Sequence, residues 1–264
     1  MTLDLKIFLE DCVEKFNRPE FIENDPISIP HRFTKPQDIE ITAFWTAMLA
    51  WGQRKTIINS ANRLFSLMDN APHDFILNHQ ASDLKRFSDF KHRTFQPIDA
   101  LYFINFFNYF YRNNNSLEQA FTQNLIAPGT LNIHPLEKAL SDFHNLFFNM
   151  PDAPKRTRKH VATPQSKSTC KRLCMFLRWM VRDDAKGVDF GLWKTLKPAQ
   201  LLMPLDVHVE RHARRLGLIK RPKTDWLTVL ELTEALRQFD PIDPVKYDFA
   251  LFGLGIEEKM LFPS

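Results

Sequence analysis

Lys171 and Asp206 are the residues whose types and positions carry chemistry. Asp206 lies in residues 204–218, PLDVHVERHARRLGL, where it suits the N-cap of a helix that Gly217 ends. A carboxylate at that position meets unpaired backbone N–H groups and the positive end of the helix dipole, which favour its charged form. A negative charge fixed in this way steadies positive charge that develops as a bond breaks, and it can take a proton from an attacking nucleophile. Lys171 lies in residues 170–182, CKRLCMFLRWMVR, at another helix start. The dipole and the neighbouring Arg172 disfavour an ammonium ion there and leave more neutral amine, the form that makes a Schiff base. A solvated or phosphate-contacting lysine is the alternative, and Lys167 is a second candidate. Lys171, Arg178 and Arg182 are seven and four residues apart, so they share a helix face.

The elements that position this pair read as helices almost throughout. Apolar stripes run through Leu5 to Phe16, Ile41 to Leu49 (closed by Gly52) and Ile57 to Met68. Further stripes cover Ile98 to Phe110, Leu117 to Phe121, Leu136 to Phe148, Cys170 to Val181 and Trp226 to Leu236. Thr224 or Asp225 suits the cap of the penultimate helix, and Asp243-Pro244 the start of the last. Residues 25–33 form a proline-broken connection, and 150–168 a long basic loop with Pro151, Pro154 and Pro164 as breakers. No repeat, low-complexity tract or strand pattern stands out. The fold class expected is all-α.

Composition narrows the function. The 264 residues include 7 Gly and 24 Phe, which favours packed helices over tight hairpins. A net charge of +4 does not by itself call for nucleic acid, but residues 151–186 hold ten Lys or Arg against Asp152, Asp183 and Asp184. Such a stretch is an electrostatic footprint for phosphate or a solvated face. The three cysteines, Cys12, Cys170 and Cys174, do not make a disulfide framework and suit a reducing compartment. The acidic start, with Asp4, Glu10, Asp11 and Glu14, does not read as a signal or transit peptide, and no apolar run is long enough to span a membrane. A cytoplasmic, nucleoid-associated monomer is expected. His208 and His212 are four apart on one helix, but no third ligand with suitable spacing appears, so no metal site and no cofactor is expected. Cys170 and Cys174, and the aromatic run at 102–111, read as core.

The run Asp206, His208, Val209, Arg211, Arg215, Leu216, Gly217, Leu218 resembles the Asp-x-His-Val-x-Arg motif of helix-hairpin-helix DNA glycosylases. In that family the aspartate is the essential carboxylate of base excision. Lys171 lies where bifunctional members carry a nucleophilic lysine, and its separation from Asp206 resembles the archaeal 8-oxoguanine DNA glycosylase layout. LAWGQRKT at 49–56 is similar to the place where many members insert a glutamine into the duplex, which matches Gln53 and Arg54. The chain also resembles a bacterial branch of that superfamily, domain of unknown function 2400, in its KRL-MFLRWMVR and DPVKYDFALFGLG segments.

The resemblance implies two helical lobes, about 36–193 and 1–35 plus 194–264, with a DNA cleft between them. It implies excision of a damaged base, an oxidised purine as first choice, with AP lyase activity. It also implies DNA contacts from Gln53, Arg54, Lys167, Ser168, Arg172, Arg178, Arg182, His208 and Arg211. Two departures stand out. Ser166-Lys167-Ser168 replaces the glycine-x-glycine turn, and no cysteine follows the helix like 247–256, so no iron–sulfur cluster is expected. The alternative is a non-catalytic nucleic-acid-binding protein that kept the fold.

Overall fold

The computed structural model describes residues 3–125 and 133–261. Its α-helices, in chain order, are α1 (Leu3–Phe16), α2 (Glu20–Glu23), α3 (Pro36–Leu49), α4 (Arg54–Ser66), α5 (Pro72–Asn78) and α6 (Pro97–Tyr111). They continue as α7 (Glu118–Thr122), α8 (Pro135–Phe147), α9 (Lys171–Val181), α10 (Val207–Arg215), α11 (Trp226–Arg237) and α12 (Tyr247–Leu261). The protein is all-α: among the described residues the one extended pairing is an isolated bridge between His92 and Phe95. No helix of the described residues is long and apolar enough to cross a membrane.

The chain divides into two compact units, Ile22–Ala162 and a second made of Met1–Phe21 with Thr163–Ser264. Residues 163–193, expected in the first lobe, therefore belong to the unit that holds both ends of the chain. The physical reason lies in α9, whose Arg178 is ion-paired to Asp248 at the start of α12.

The Ile22–Ala162 unit is built on aromatic residues. Phe44 of α3 meets Phe107 of α6 and Phe143 of α8 edge to face, each at 5.5 Å between ring centres, a favoured geometry for aromatic pairs. The 150–168 segment is more ordered than a loop. It contains two 3-10 turns, Lys155–His160 and Pro164–Ser166. The first is pinned by the buried Asp99 at the start of α6, whose carboxylate accepts from Thr157 Oγ1 at 2.7 Å and also pairs with Arg156.

In the terminal unit two glycines set how closely the helices approach. A Cβ on Gly253 of α12 would lie 2.2 Å from the Phe16 ring of α1, and one on Gly255 3.0 Å from the Cβ of His208 on α10. Bare backbone on α12 thus receives α1 on one side and α10 on another. Helix α10 ends as its sequence implies. Gly217 takes φ +71°, while the Gly217 and Leu218 N–H groups return to the Arg214 and Ala213 carbonyls at 3.0 and 2.8 Å. That double bond is the Schellman arrangement, which needs a left-handed residue.

Candidate active site

Asp206 caps α10. Its Oδ1 accepts from the His208 and Val209 N–H groups, both at 2.9 Å, satisfying donors that a helix start leaves open. The second oxygen is left for another partner. Oδ2 lies 4.0 Å from Nζ of Lys171, the first residue of α9, with side-chain exposures of 20% and 25% for the aspartate and the lysine. The two side chains chosen from sequence therefore come together as a partly exposed ion pair, each fixed by a helix N-terminus.

The turn that leads into α9 carries unusual backbone. Lys167 and Cys170 take φ +61° and +50°, the left-handed region, which is uncommon outside glycine. Ser168 Oγ accepts the Cys170 N–H at 3.1 Å, and the Lys167 carbonyl accepts the Trp226 N–H at 3.3 Å, which ties the turn to α11. The Lys167 side chain is exposed and that of Arg172 half-buried.

Arg178 and Arg182 are where expectation and structure part. They are 3% and 1% exposed. Arg178 pairs with Asp248 and, through Nε, with Asp189 at 3.2 Å. Arg182 meets Asp189, Asp184 and Asp243 at 2.6, 2.8 and 2.9 Å. Both guanidiniums also lie over the Phe249 ring, at 4.4 and 5.4 Å. Neither is available to a phosphate. Their charges are spent on buried carboxylates, because a buried cation must be paired. Burial pushes the Arg182 guanidinium down, but the three carboxylates outweigh it and raise it above its ordinary value.

The other expected contacts are scattered. Arg211 pairs with Glu258 of α12 at 2.6 Å and keeps 42% of its side chain exposed. His208 is half-buried against Gly255. Gln53 is exposed at the cap of α4, with Arg54 as the first helical residue, and both belong to the Ile22–Ala162 unit. His208 and His212 gain no third ligand: the described residues contain no cluster of three His, Cys, Asp or Glu side chains suited to a metal.

One member of the site was missed from sequence. Asp248, the second residue of α12, is 5% exposed and in contact with Arg178. Burial pushes its carboxyl up to about 6; Asp206 and Asp189 add to the rise, and Arg178 and Lys171 oppose it. The signal for it was present on α9, where Arg178 stands among Phe176, Leu177, Trp179 and Met180, all buried. An arginine in a helix buried on every side requires an acid from elsewhere.

Fold and site together describe an all-α protein with a lysine–aspartate pair held at two helix starts. The chain belongs to the family described as protein of unknown function DUF2400, whose model matches residues 25–257. Comparison with curated proteins and with solved structures returned no match.

Proposed function

We propose that the protein is a base-excision DNA glycosylase with AP lyase activity, acting on double-stranded DNA that carries a damaged base. The observation that carries this reading is the 4.0 Å approach of Lys171 Nζ to the free oxygen of the capping Asp206. The resemblance of residues 204–218 to the glycosylase motif supports it. In this reading the damaged nucleotide leaves the stack, and the Lys171 amine attacks C1′. The sugar–base bond breaks with its electron pair going to the base, which takes up a proton. Asp206 stabilises the positive charge on the sugar and accepts the proton that the lysine nitrogen loses. The sugar ring then opens as the C1′–O4′ bond breaks, its electron pair and a proton going to O4′, and the imine so formed permits loss of the C2′ proton and elimination of the 3′ phosphate. An oxidised purine is the first lesion to offer, on the likeness to the 8-oxoguanine layout.

Borohydride trapping on duplexes bearing oxidised, alkylated or deaminated bases tests the reading. A covalent adduct is expected with the wild type and none with Lys171→Ala. Absence of an adduct with every lesion, or an undiminished one in Lys171→Ala, removes the nucleophile.

A second reading, DNA binding without catalysis, is favoured by the Ser166-Lys167-Ser168 turn and by the loss of Arg178 and Arg182 to the interior. It expects salt-sensitive affinity and no product on any lesion.

A further inference from the structure

We infer that Trp51 and Arg93 form a holding site for one unpaired nucleotide of a DNA strand, its base stacked on the indole and its phosphate on the guanidinium. The inference rests on DNA being the partner and not on the lysine–aspartate chemistry.

The site lies wholly in the Ile22–Ala162 unit, whereas Lys171 and Asp206 belong to the other. Trp51 follows α3. Its ring is stacked on His160 at 5.7 Å and 26°, and His92 meets it edge-on at 4.9 Å and 80°. Both histidines are interior groups, His160 1% and His92 2% exposed. His160 lies 3.3 Å from the buried Asp99 carboxylate and against the Phe95 ring, and His92 is hydrogen-bonded to Ser60 Oγ at 2.9 Å. Trp51 itself stays half-buried. A tryptophan that only closes a core is enclosed as Trp45 is, at 0% exposure. Trp51 is instead a plate fixed from behind and open in part to solvent, the form in which an aromatic side chain receives a base of any kind.

Two left-handed backbone positions bring a cation to this plate. Residues 92–95 form a tight turn, in which the His92 N–H donates to the Phe95 carbonyl at 3.0 Å and the Phe95 N–H to the His92 carbonyl at 2.9 Å. Arg93 at its corner takes φ +54°, and Gly52, next to Trp51 in the chain, takes φ +103°. A Cβ on Gly52 would lie 2.7 Å from Arg93 Nη1 and 3.3 Å from its Cδ, so the arginine side chain runs along bare backbone beside the tryptophan. Left-handed backbone at a residue other than glycine is strained, and such strain concentrates where ligands are held. Arg156 braces the turn by pairing with Asp99 and donating to the Thr94 carbonyl at 3.0 Å. The Arg93 side chain is exposed, and among the described residues no carboxylate pairs with it. Residues 49–68 and 90–98 hold Arg54, Lys55, Arg63, Lys91 and Arg93 and no acid. That charge suits a phosphate chain, and a planar guanidinium suits one phosphate of it.

Binding of a fluorescein-labelled oligothymidylate to the full chain, read by anisotropy, tests the site. A strand of abasic tetrahydrofuran residues of the same length is the control without bases. The wild type should bind the abasic strand at least about fivefold more weakly, and Trp51→Ala should weaken oligothymidylate binding about 5- to 150-fold, the range one stacked base covers. Trp51→Ala should leave abasic binding unchanged, and Trp51→Phe should keep most of the affinity for bases. Arg93→Gln should weaken both strands and lower the salt slope by about 0.7, one phosphate of a single strand. Equal wild-type affinity for the two strands overturns the inference, and so does an unchanged salt slope in Arg93→Gln; neither result needs the alanine variant to fold. Thymidine monophosphate that displaces the strand at equal nucleotide concentration would assign the site to a free nucleotide and overturn it as well. Failure of lesion trapping with this binding pattern intact removes the glycosylase reading alone. A trapped adduct with equal affinity for both strands removes the inference alone.

Discussion

Replacing Arg182 by methionine separates a structural arginine from a phosphate contact. The side chain is 1% exposed and its guanidinium meets Asp184, Asp189 and Asp243. Methionine fills much of the volume but leaves three carboxylates facing one another without their shared cation. Breaking a buried ion pair from one side destabilises by about 3–5 kcal/mol, a large part of the roughly 5–15 kcal/mol that holds a folded protein together. For a chain of this size about 2–4 °C of melting temperature accompanies each kcal/mol, so a fall of about 6–20 °C is expected by calorimetry or circular dichroism. The loss should be partly recovered in Arg182→Met with Asp189→Asn, since the second change removes one uncompensated charge; a coupling of at least about 1 kcal/mol is expected for groups in contact. A single variant that melts within about 2 °C of the wild type while losing DNA affinity would refute the reasoning, because it would put the guanidinium at the surface.

Further perturbations probe other parts of the fold and site. Gly253→Ala places a methyl group into the Phe16 ring and should lower stability by about 1–3 kcal/mol, read by urea unfolding. Asp206→Asn should keep the cap of α10, so its melting temperature stays near that of the wild type, while under the proposed function lesion trapping is lost. Asp206→Ala should lose both, with about 1 kcal/mol from the cap. Stability against pH reports Asp248. Its carboxyl is raised in the fold, so its contribution is complete below the unfolded value near 4 and is lost as pH rises through about 6. That loss is about 3 kcal/mol, and urea midpoints at pH 4 and 7 should show it in the wild type relative to Asp248→Asn. The opposite sign holds for Asp184, where burial raises the carboxyl but Arg182 and Asn17 outweigh it and hold it low. Its contribution is present above the unfolded value and lost as pH falls below about 4, so Asp184→Asn should weaken the protein more at pH 7 than at pH 3.

Helices were legible because their apolar period and their ends are written locally. Asp206 and Gly217 bracket α10 as cap and stop, and between the two possible caps of α11 the structure uses Asp225, whose side chain accepts the Thr228 N–H. The Lys171–Asp206 juxtaposition was legible through a family resemblance, not through spacing, since 35 residues of intervening chain fix no distance. Charge partners were not legible at all. The ten cations of residues 151–186 looked like one basic surface, yet Arg156, Arg178, Arg182 and Lys186 find acids at Asp99, Asp248, Asp189 and Glu14, far away or across a turn. Burial is a property of the whole fold, so a local charge count cannot tell a solvated arginine from one that neutralises the core. Helix α5 escaped for a related reason: Phe75 and Ile76 are its buried apolar residues beside Pro72, too short a stripe to show a period.

The turn before α9 shows how a residue type can mislead about backbone. Serines at 166 and 168 in place of the two glycines read as a modified or lost hairpin, on the premise that its turns need glycine. Lys167 nevertheless adopts φ +61°, and Cys170, three residues on, adopts +50°. Left-handed backbone is thus formed here without glycine, at a strain of about 1–2 kcal/mol per residue. Bonds to the Ser168 hydroxyl and from the Trp226 N–H hold that turn in place. At that turn the Lys167 side chain presents an exposed positive charge. Lys167→Gly should accordingly preserve the fold, with stability equal to the wild type or up to about 1 kcal/mol higher as strain is relieved against greater freedom of the unfolded chain. Under the proposed function the same variant should weaken DNA binding and lower its salt slope by about one contact. A destabilised Lys167→Gly protein would mean that the lysine side chain, not the backbone tie, holds the turn.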